Sequence, residues 1–151
     1  MSKANHFDAS LWQTCDRLYE KGQGLYLKLQ DDYGLNVNLL LLAQWLDEKR
    51  YYLSDQDWQE LAAQVEAWEQ KVLKPYRRLR KLSKHNLEKA EYQQMLEVEL
   101  MLERKSQAMI LHQLRQRANE QLSPNLPRYL ALYQIDLEQY QELAQTLTII
   151  N

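Results

Sequence analysis

The chain has 151 residues, of which 45% are apolar and 26% are charged, and its formal net charge at pH 7 is −2. This length is typical of one domain with a sizeable core, and the small negative charge argues against binding to an anionic membrane surface. Three glycines and three prolines are few for a β-rich chain, so the composition favours long helices. We therefore expect one all-α domain over residues 1–151.

Several kinds of site are excluded by the residues that the sequence lacks. Cys15 is the single cysteine, and the three histidines (His6, His85 and His112) are scattered without zinc-site spacing. There is no Glu-x-x-His di-iron pattern, no glycine-rich phosphate loop and no nucleophile elbow. No apolar run approaches the ~18 residues of a membrane span, and the first residues lack a signal-peptide pattern. We expect a cytoplasmic protein without a metal or cofactor.

The first two predicted helices are each ended by a glycine. One begins near Asp8 or Ser10, where Ser-x-x-Gln has the form of a capping box, and ends at Gly22. The next covers about residues 23–33 and ends at Gly34. Both glycines are expected to adopt the left-handed conformation that commonly follows a helix.

The third predicted helix is the most apolar segment of the chain. Asn36 is its expected N-cap, and it extends to about Lys49 with apolar residues on nearly every side. Such a helix belongs in the middle of a bundle. The fourth helix opens at Ser54, whose Ser-x-x-Asp spacing and early acids suit a helix N-terminus.

The fourth and fifth predicted helices form a long antiparallel hairpin. Pro75 interrupts the fourth helix, but we expect one kinked helix to about Lys84, because apolar residues continue beyond the proline. These continuing apolar residues are Tyr76, Leu79 and Leu82. The fifth helix extends from about Leu87 to Gln121, which is roughly 50 Å at 1.5 Å per residue.

The last predicted elements follow a proline-rich break. Residues 123–127 end the helical pattern, a short helical turn covers residues 129–133, and Asp136 caps a last helix through Leu147. The sequence therefore predicts a bundle of about six helices.

Two adjacent carboxylates, Asp31 and Asp32, precede the apolar third helix. An acid in the last turn of a helix costs about 0.3–1 kcal/mol against the macrodipole. We expect one aspartate to turn back and help Asn36 and Asn38 cap the third helix. The alternative is that these four residues line a small polar ligand pocket beside Trp45. A magnesium site is disfavoured, since adjacent side chains point about 100° apart on a helix.

Residues 71–84, here called the basic segment, hold seven of the nineteen Lys and Arg residues and no acid. Such a segregated charge can attract an anionic partner, namely an acidic protein face, RNA or a phosphorylated ligand. The candidate partner-binding residues are Lys74, Arg77, Arg78, Arg80 and Lys81. The alternative is a solvated face, or one neutralised by glutamates of the fifth helix. Those glutamates are Glu88, Glu91, Glu97, Glu99 and Glu103.

Three functional hypotheses follow from these patterns. The first is an interaction protein that docks an anionic protein or RNA through the basic segment. The second is a small-ligand-binding protein or enzyme that uses the polar pocket at the joint between the second and third helices. The third is self-association as a homodimer through Met101, Met109 and Ile110. None of the three requires a cofactor.

Two motifs resemble those of a bacterial domain-of-unknown-function family of small proteins. The first is LQDxxGxxVNLLLxxxWL over residues 29–46, and the second is PxRxLR over residues 75–80. The resemblance covers roughly residues 10–82 and implies an all-helical cytosolic protein. It transfers no catalytic residues. At residues 21–24 the chain has KGQG where family members tend to have a Pro-Gly turn, so that joint is expected to differ.

Overall fold

The computed structural model describes residues 7–119 and 123–141, and the described residues contain six α-helices and no β-strand. The α-helices are α1 (Leu11–Tyr33), α2 (Val37–Glu48), α3 (Asp55–Trp68), α4 (Lys74–Ser83), α5 (Lys89–Leu114) and α6 (Asn125–Ala131). A π-helical turn covers Glu69–Leu73, and 3-10 turns cover Lys84–Asn86 and Leu137–Tyr140. The all-α class and the expected number of helices are confirmed. In the part of the chain that is described, no helix is long and apolar enough to cross a membrane.

Helix α2 lies at the centre of the core, as its sequence predicts. It packs against both α1 and α6, and residues 39–44 are all buried. One of them, Gln44, is polar, and its side chain accepts a hydrogen bond from the Tyr26 hydroxyl at 2.7 Å. Burial on every side explains why α2 has no polar face.

Helix α1 is kinked at Gly22, the residue at which the two predicted helices were expected to meet, and only the expected left-handed conformation of this glycine is wrong. Gly22 has a φ of −123° and kinks the helix without entering the left-handed region. A Cβ at this position would lie 2.9 Å from Cε2 of Tyr26, so the glycine makes room for that ring. The Ser10 side chain does not cap α1. Instead, the Asp8 carboxylate accepts a hydrogen bond from the Ser10 N–H at 2.8 Å.

Helix α5 ends earlier than expected, at Leu114, and Gln121 lies outside the described residues. Its 26 residues span about 39 Å at 1.5 Å per residue. The chain after α5 turns to bind the loop between α2 and α3. The Arg117 carbonyl accepts from the Tyr51 hydroxyl at 2.6 Å, and Asn119 Oδ1 accepts from the Tyr52 N–H at 2.9 Å. These contacts replace further helical hydrogen bonds.

The predicted kink at Pro75 is confirmed and takes the form of the π turn. In this turn the Lys74 N–H donates to the Glu69 carbonyl, five residues earlier. A proline has no N–H and its ring crowds the carbonyl four residues back, so a wider turn relieves the conflict. The capping box that starts α3 is also present, since Ser54 and Asp57 each accept the other's N–H, at 3.0 and 3.1 Å.

Helices α4 and α5 run antiparallel and leave the core together. The Trp68 indole donates to the Leu102 carbonyl at 3.1 Å, and the Tyr76 hydroxyl donates to the Met95 carbonyl at 2.8 Å. None of residues 74–105 is fully buried. We call these residues the arm.

Candidate functional site

Arg77 faces α5 on the inner side of the arm, where it meets three carboxylates. Its guanidinium lies 3.3 Å from Glu69, 3.4 Å from Glu99 and 3.1 Å from Glu103. Partial burial opposes the charged form of Arg77, but the hydrogen bond to Glu103 and the three negative charges outweigh it and raise its pKa. This candidate partner-binding residue therefore joins the two helices of the arm.

Arg80 lies one turn further along the same inner face. It donates to the Tyr92 hydroxyl at 2.8 Å and is paired with Glu99. These hydrogen bonds raise the pKa of Arg80, so it stays charged. Beside it, burial raises the pKa of the Tyr76 phenol, whose hydroxyl donates to a carbonyl of α5. Two of the five candidate residues thus hold the arm together, and two of the five predicted glutamates meet them.

The other three candidates, Lys74, Arg78 and Lys81, lie on the outward face of α4 and are exposed. Their spacing of four and three residues places them on one side of the helix. Among the described residues, no carboxylate forms an ion pair with any of them. We call these three residues the basic stripe.

A second stripe, of apolar residues, runs beside the basic stripe. It consists of Pro75, Leu79 and Leu82, which repeat the same spacing one position later. Leu79 is 53% exposed and Leu82 is 72% exposed. The apolar residues that continue the helix beyond Pro75 do not share one face, since Tyr76 turns toward α5 while both leucines are exposed. Sequence analysis missed this apolar stripe as part of the site.

The aspartates at the joint between α1 and α2 do not cap α2. Asp31 and Asp32 are exposed and form no hydrogen bond within the described part of the chain. Asn36 is the N-cap as predicted, since its side chain accepts from the Leu39 N–H at 3.1 Å. The place expected for an aspartate is taken by Tyr129, whose hydroxyl accepts from the Asn36 N–H at 3.0 Å and donates to the Asn36 carbonyl at 3.1 Å.

The residues of the alternative ligand pocket contact different elements. Asn36 contacts α6, and Asn38 Oδ1 accepts from the Gln107 side chain of α5 at 3.5 Å. The Phe7 ring covers Trp45 edge-on at 5.6 Å between centroids. A shallow groove of about 420 Å³ borders Gly34, but none of the five pocket candidates lines it. Among the described residues, no cluster of His, Cys, Asp or Glu side chains could hold a metal ion.

A family model matches residues 10–110, and its description is "Protein of unknown function (DUF2390)". The chain belongs to this family. The match extends well beyond residue 82 and includes the whole arm. No curated protein matches the chain, and no solved structure does. Membership confirms the expected domain-of-unknown-function family and supplies no activity for the arm.

The residues proposed for self-association do not form one exposed surface. Met101 is 59% exposed and Met109 is partly buried. Ile110 belongs to the hydrophobic core, so the expectation that it is left over for a second chain is wrong. This follows from the packing of α5 against α3.

A polar network around Asn125 was also missed. The Asn125 side chain is fully buried. Its oxygen accepts hydrogen bonds from the Leu53 N–H at 2.8 Å and the Trp58 indole N–H at 3.1 Å. Its amide nitrogen donates to the Asp47 carboxylate at 3.0 Å and to the Tyr51 carbonyl at 2.8 Å. Burial raises the pKa of Asp47 although backbone N–H groups of α6 donate to it. This network fixes the end of α2 against α3 and α6. A single asparagine between two prolines gives no sequence signal for such a role.

Proposed function

We propose that this protein is an interaction protein that docks an acidic protein partner through the outward face of α4. The observation that carries the proposal is the division of the basic segment between the two faces of the helix. Arg77 and Arg80 are used inside the arm, whereas Lys74, Arg78 and Lys81 are exposed and have no carboxylate partner among the described residues. A cytoplasmic location is part of this proposal.

The charge of the basic stripe suits a partner that binds by electrostatic complementarity. Single exposed ion pairs contribute only about 0–1 kcal/mol each, so several must act together. An aligned row of cations on an otherwise acidic protein increases the rate of encounter with an anionic surface and selects against cationic ones. Association through this face should therefore weaken as salt is raised.

The side chains beside the basic stripe favour a protein over RNA. Proteins that bind single-stranded RNA commonly stack its bases on aromatic side chains. Here the flanking residues are Pro75, Leu79 and Leu82, none of which is aromatic. Exposed leucines instead suit an apolar side chain of another protein.

The test compares two variants that carry the same change in charge. In the first, Lys74→Glu, Arg78→Glu and Lys81→Glu reverse the basic stripe. In the matched control, Lys28→Glu, Arg104→Glu and Lys105→Glu reverse three exposed cations elsewhere. Each folded protein is used in a low-salt pull-down from native lysate, with and without nuclease, and circular dichroism verifies its helicity.

We expect specific proteins to be captured by the wild type and the control but lost in the stripe variant. The capture should resist nuclease and decrease as salt is raised. An identical set of captured proteins in the stripe variant would contradict docking through α4. Loss of capture on nuclease treatment would show that RNA, and not an acidic protein, is the partner.

A further inference from the structure

We propose that the docked segment of the partner is an acidic amphipathic helix that lies along α4, with its apolar residues on Leu79 and Leu82 and its carboxylates on the basic stripe. This inference rests on the proposed function and names the chemistry of the partner. It is carried by the two parallel stripes that α4 presents to solvent.

The arrangement of the stripes follows from helical geometry. At about 100° per residue, the three residues of the basic stripe fall within a sector of about 60°, and the three residues of the apolar stripe fall within an adjoining sector of similar width. From Lys74 to Leu82 the two stripes extend about 12 Å along the axis, or roughly two turns. A partner helix of about three turns would cover both.

The leucines make the choice of partner specific. Leu79 and Leu82 are exposed, whereas Tyr76, further round the helix, donates a hydrogen bond from its hydroxyl to the Met95 carbonyl of α5. An anion without apolar groups, such as RNA or an oligoglutamate, would leave both leucines in water. A helix with leucines at three- or four-residue spacing covers them, and its neighbouring acids then face the cations.

Two other occupants of this face are less suitable. An anionic membrane could attract the basic stripe, but two leucines bury little area in a bilayer and the chain as a whole carries a net charge of −2. A second copy of this chain would have to cover the same cations with its own acids. Both occupants are outcomes of the test below.

The experiment measures fluorescence anisotropy with four labelled probes and the full chain at low salt. The first probe is a 15-residue synthetic peptide that forms a helix with leucines on one side and glutamates on the adjoining side. The second has the same composition in scrambled order, the third is oligoglutamate of the same length, and the fourth is single-stranded oligouridine. The scrambled peptide isolates amphipathic geometry from charge.

We expect the amphipathic peptide to bind at least about tenfold more tightly than the scrambled peptide, because it covers the two exposed leucines. Leu79→Gln with Leu82→Gln should abolish this preference. The matched control, Leu100→Gln with Met101→Gln on α5, should retain it, since those residues are similarly exposed outside the stripe. Reversing the basic stripe should weaken binding of all the anionic probes.

Equal binding of the amphipathic and scrambled peptides would overturn the inference, and so would the absence of binding. Tighter binding of oligouridine would overturn it in favour of RNA. If analytical ultracentrifugation shows a dimer that is lost in the Leu79→Gln, Leu82→Gln variant, a second copy of the chain covers this face. If the protein binds anionic vesicles and this binding depends on the same leucines, the face binds a membrane. If charge reversal removes cellular partners while the peptides bind equally, the proposed docking stands and only the amphipathic helix is excluded.

Discussion

The buried side chain of Asn125 allows a quantitative test of the polar network. In an Asn125→Ala variant, the Leu53 N–H and the Trp58 indole N–H lose their common acceptor. Both residues are fully buried, so water cannot readily replace the amide. Each orphaned donor costs about 1–3 kcal/mol, and the free energy of unfolding should therefore fall by roughly 2–6 kcal/mol.

Urea unfolding followed by tryptophan fluorescence measures this change. Asn86→Ala is the matched control, because Asn86 is exposed in the turn between α4 and α5 and its replacement should change the free energy of unfolding by less than about 0.5 kcal/mol. A loss below about 1 kcal/mol for Asn125→Ala, with an unchanged denaturant slope, would refute the argument that this amide supports the junction of α2, α3 and α6.

Asn125→Asp tests the same junction through its pH dependence. The new carboxylate keeps both acceptor positions but lies beside Asp47, whose pKa is already raised above 3.8 by burial. Two adjacent carboxylates raise the pKa of the pair further, so the folded state binds more protons than the unfolded state. The free energy of unfolding of the Asn125→Asp variant is therefore retained at low pH and falls as the pH rises through the raised pKa. The difference from the wild type should widen between about pH 4 and pH 7, and a constant difference would contradict this explanation.

Three further predictions concern separate parts of the molecule. Gly34→Ala should lower the free energy of unfolding by about 1 kcal/mol, because Gly34 has a φ of +71°. Gly24→Ala should raise it by about 0.5–1 kcal/mol, because Gly24 lies inside α1 with open space around it. Chemical denaturation measures both changes. Burial raises the pKa of Cys15 from 9.0 to about 12, so Ellman's reagent should label the native thiol at least about a thousandfold more slowly than an exposed one, and labelling at the exposed rate would show that α1 opens readily. Glu99→Gln removes the negative charge shared by Arg77 and Arg80 and one of the two acceptor oxygens. It should accelerate amide exchange in α4 by roughly threefold to tenfold in mass spectrometry, while exchange in α2 stays unchanged.

The features that could be predicted from the sequence are those determined within a few residues. Gly34 ends α1 in the left-handed conformation, and Asn36 and Ser54 cap α2 and α3 through N–H groups three residues ahead. The central position of α2 could also be predicted from the sequence, because a helix without a polar face has to be buried on all sides.

The features that were missed depend on contacts between distant parts of the chain. Gly22 has the same residue type as Gly34, yet it lies within the helix beside Tyr26, whose hydroxyl is held by Gln44 on α2. The cap expected from an aspartate comes instead from Tyr129, which is 93 residues away from Asn36. Local capping signals cannot reveal such a competitor, because the two partners become neighbours only when α6 packs on α2.

The outward position of Leu79 and Leu82 has a cause in the π turn. Up to Trp68 the inward residues recur every three or four positions, and a continuous α-helix would keep both leucines in that pattern. The π turn adds one residue, which rotates everything after it by about 100°. The side chains that then meet α5 are Tyr76, Arg77 and Arg80.

The same rotation determines which cations of the basic segment remain exposed. It turns two arginines inward, where their planar guanidinium groups bind several acceptors at once: Arg77 contacts three carboxylates, and Arg80 contacts Glu99 and Tyr92. It leaves Lys74, Arg78 and Lys81 on the outside, next to the two leucines. Counting charges in the basic segment therefore overestimates the number of exposed cations on α4 and does not reveal the exposed leucines beside them. Because Pro75 cannot be accommodated by an ordinary helical turn, this one residue sets the helical phase that brings both stripes to the surface.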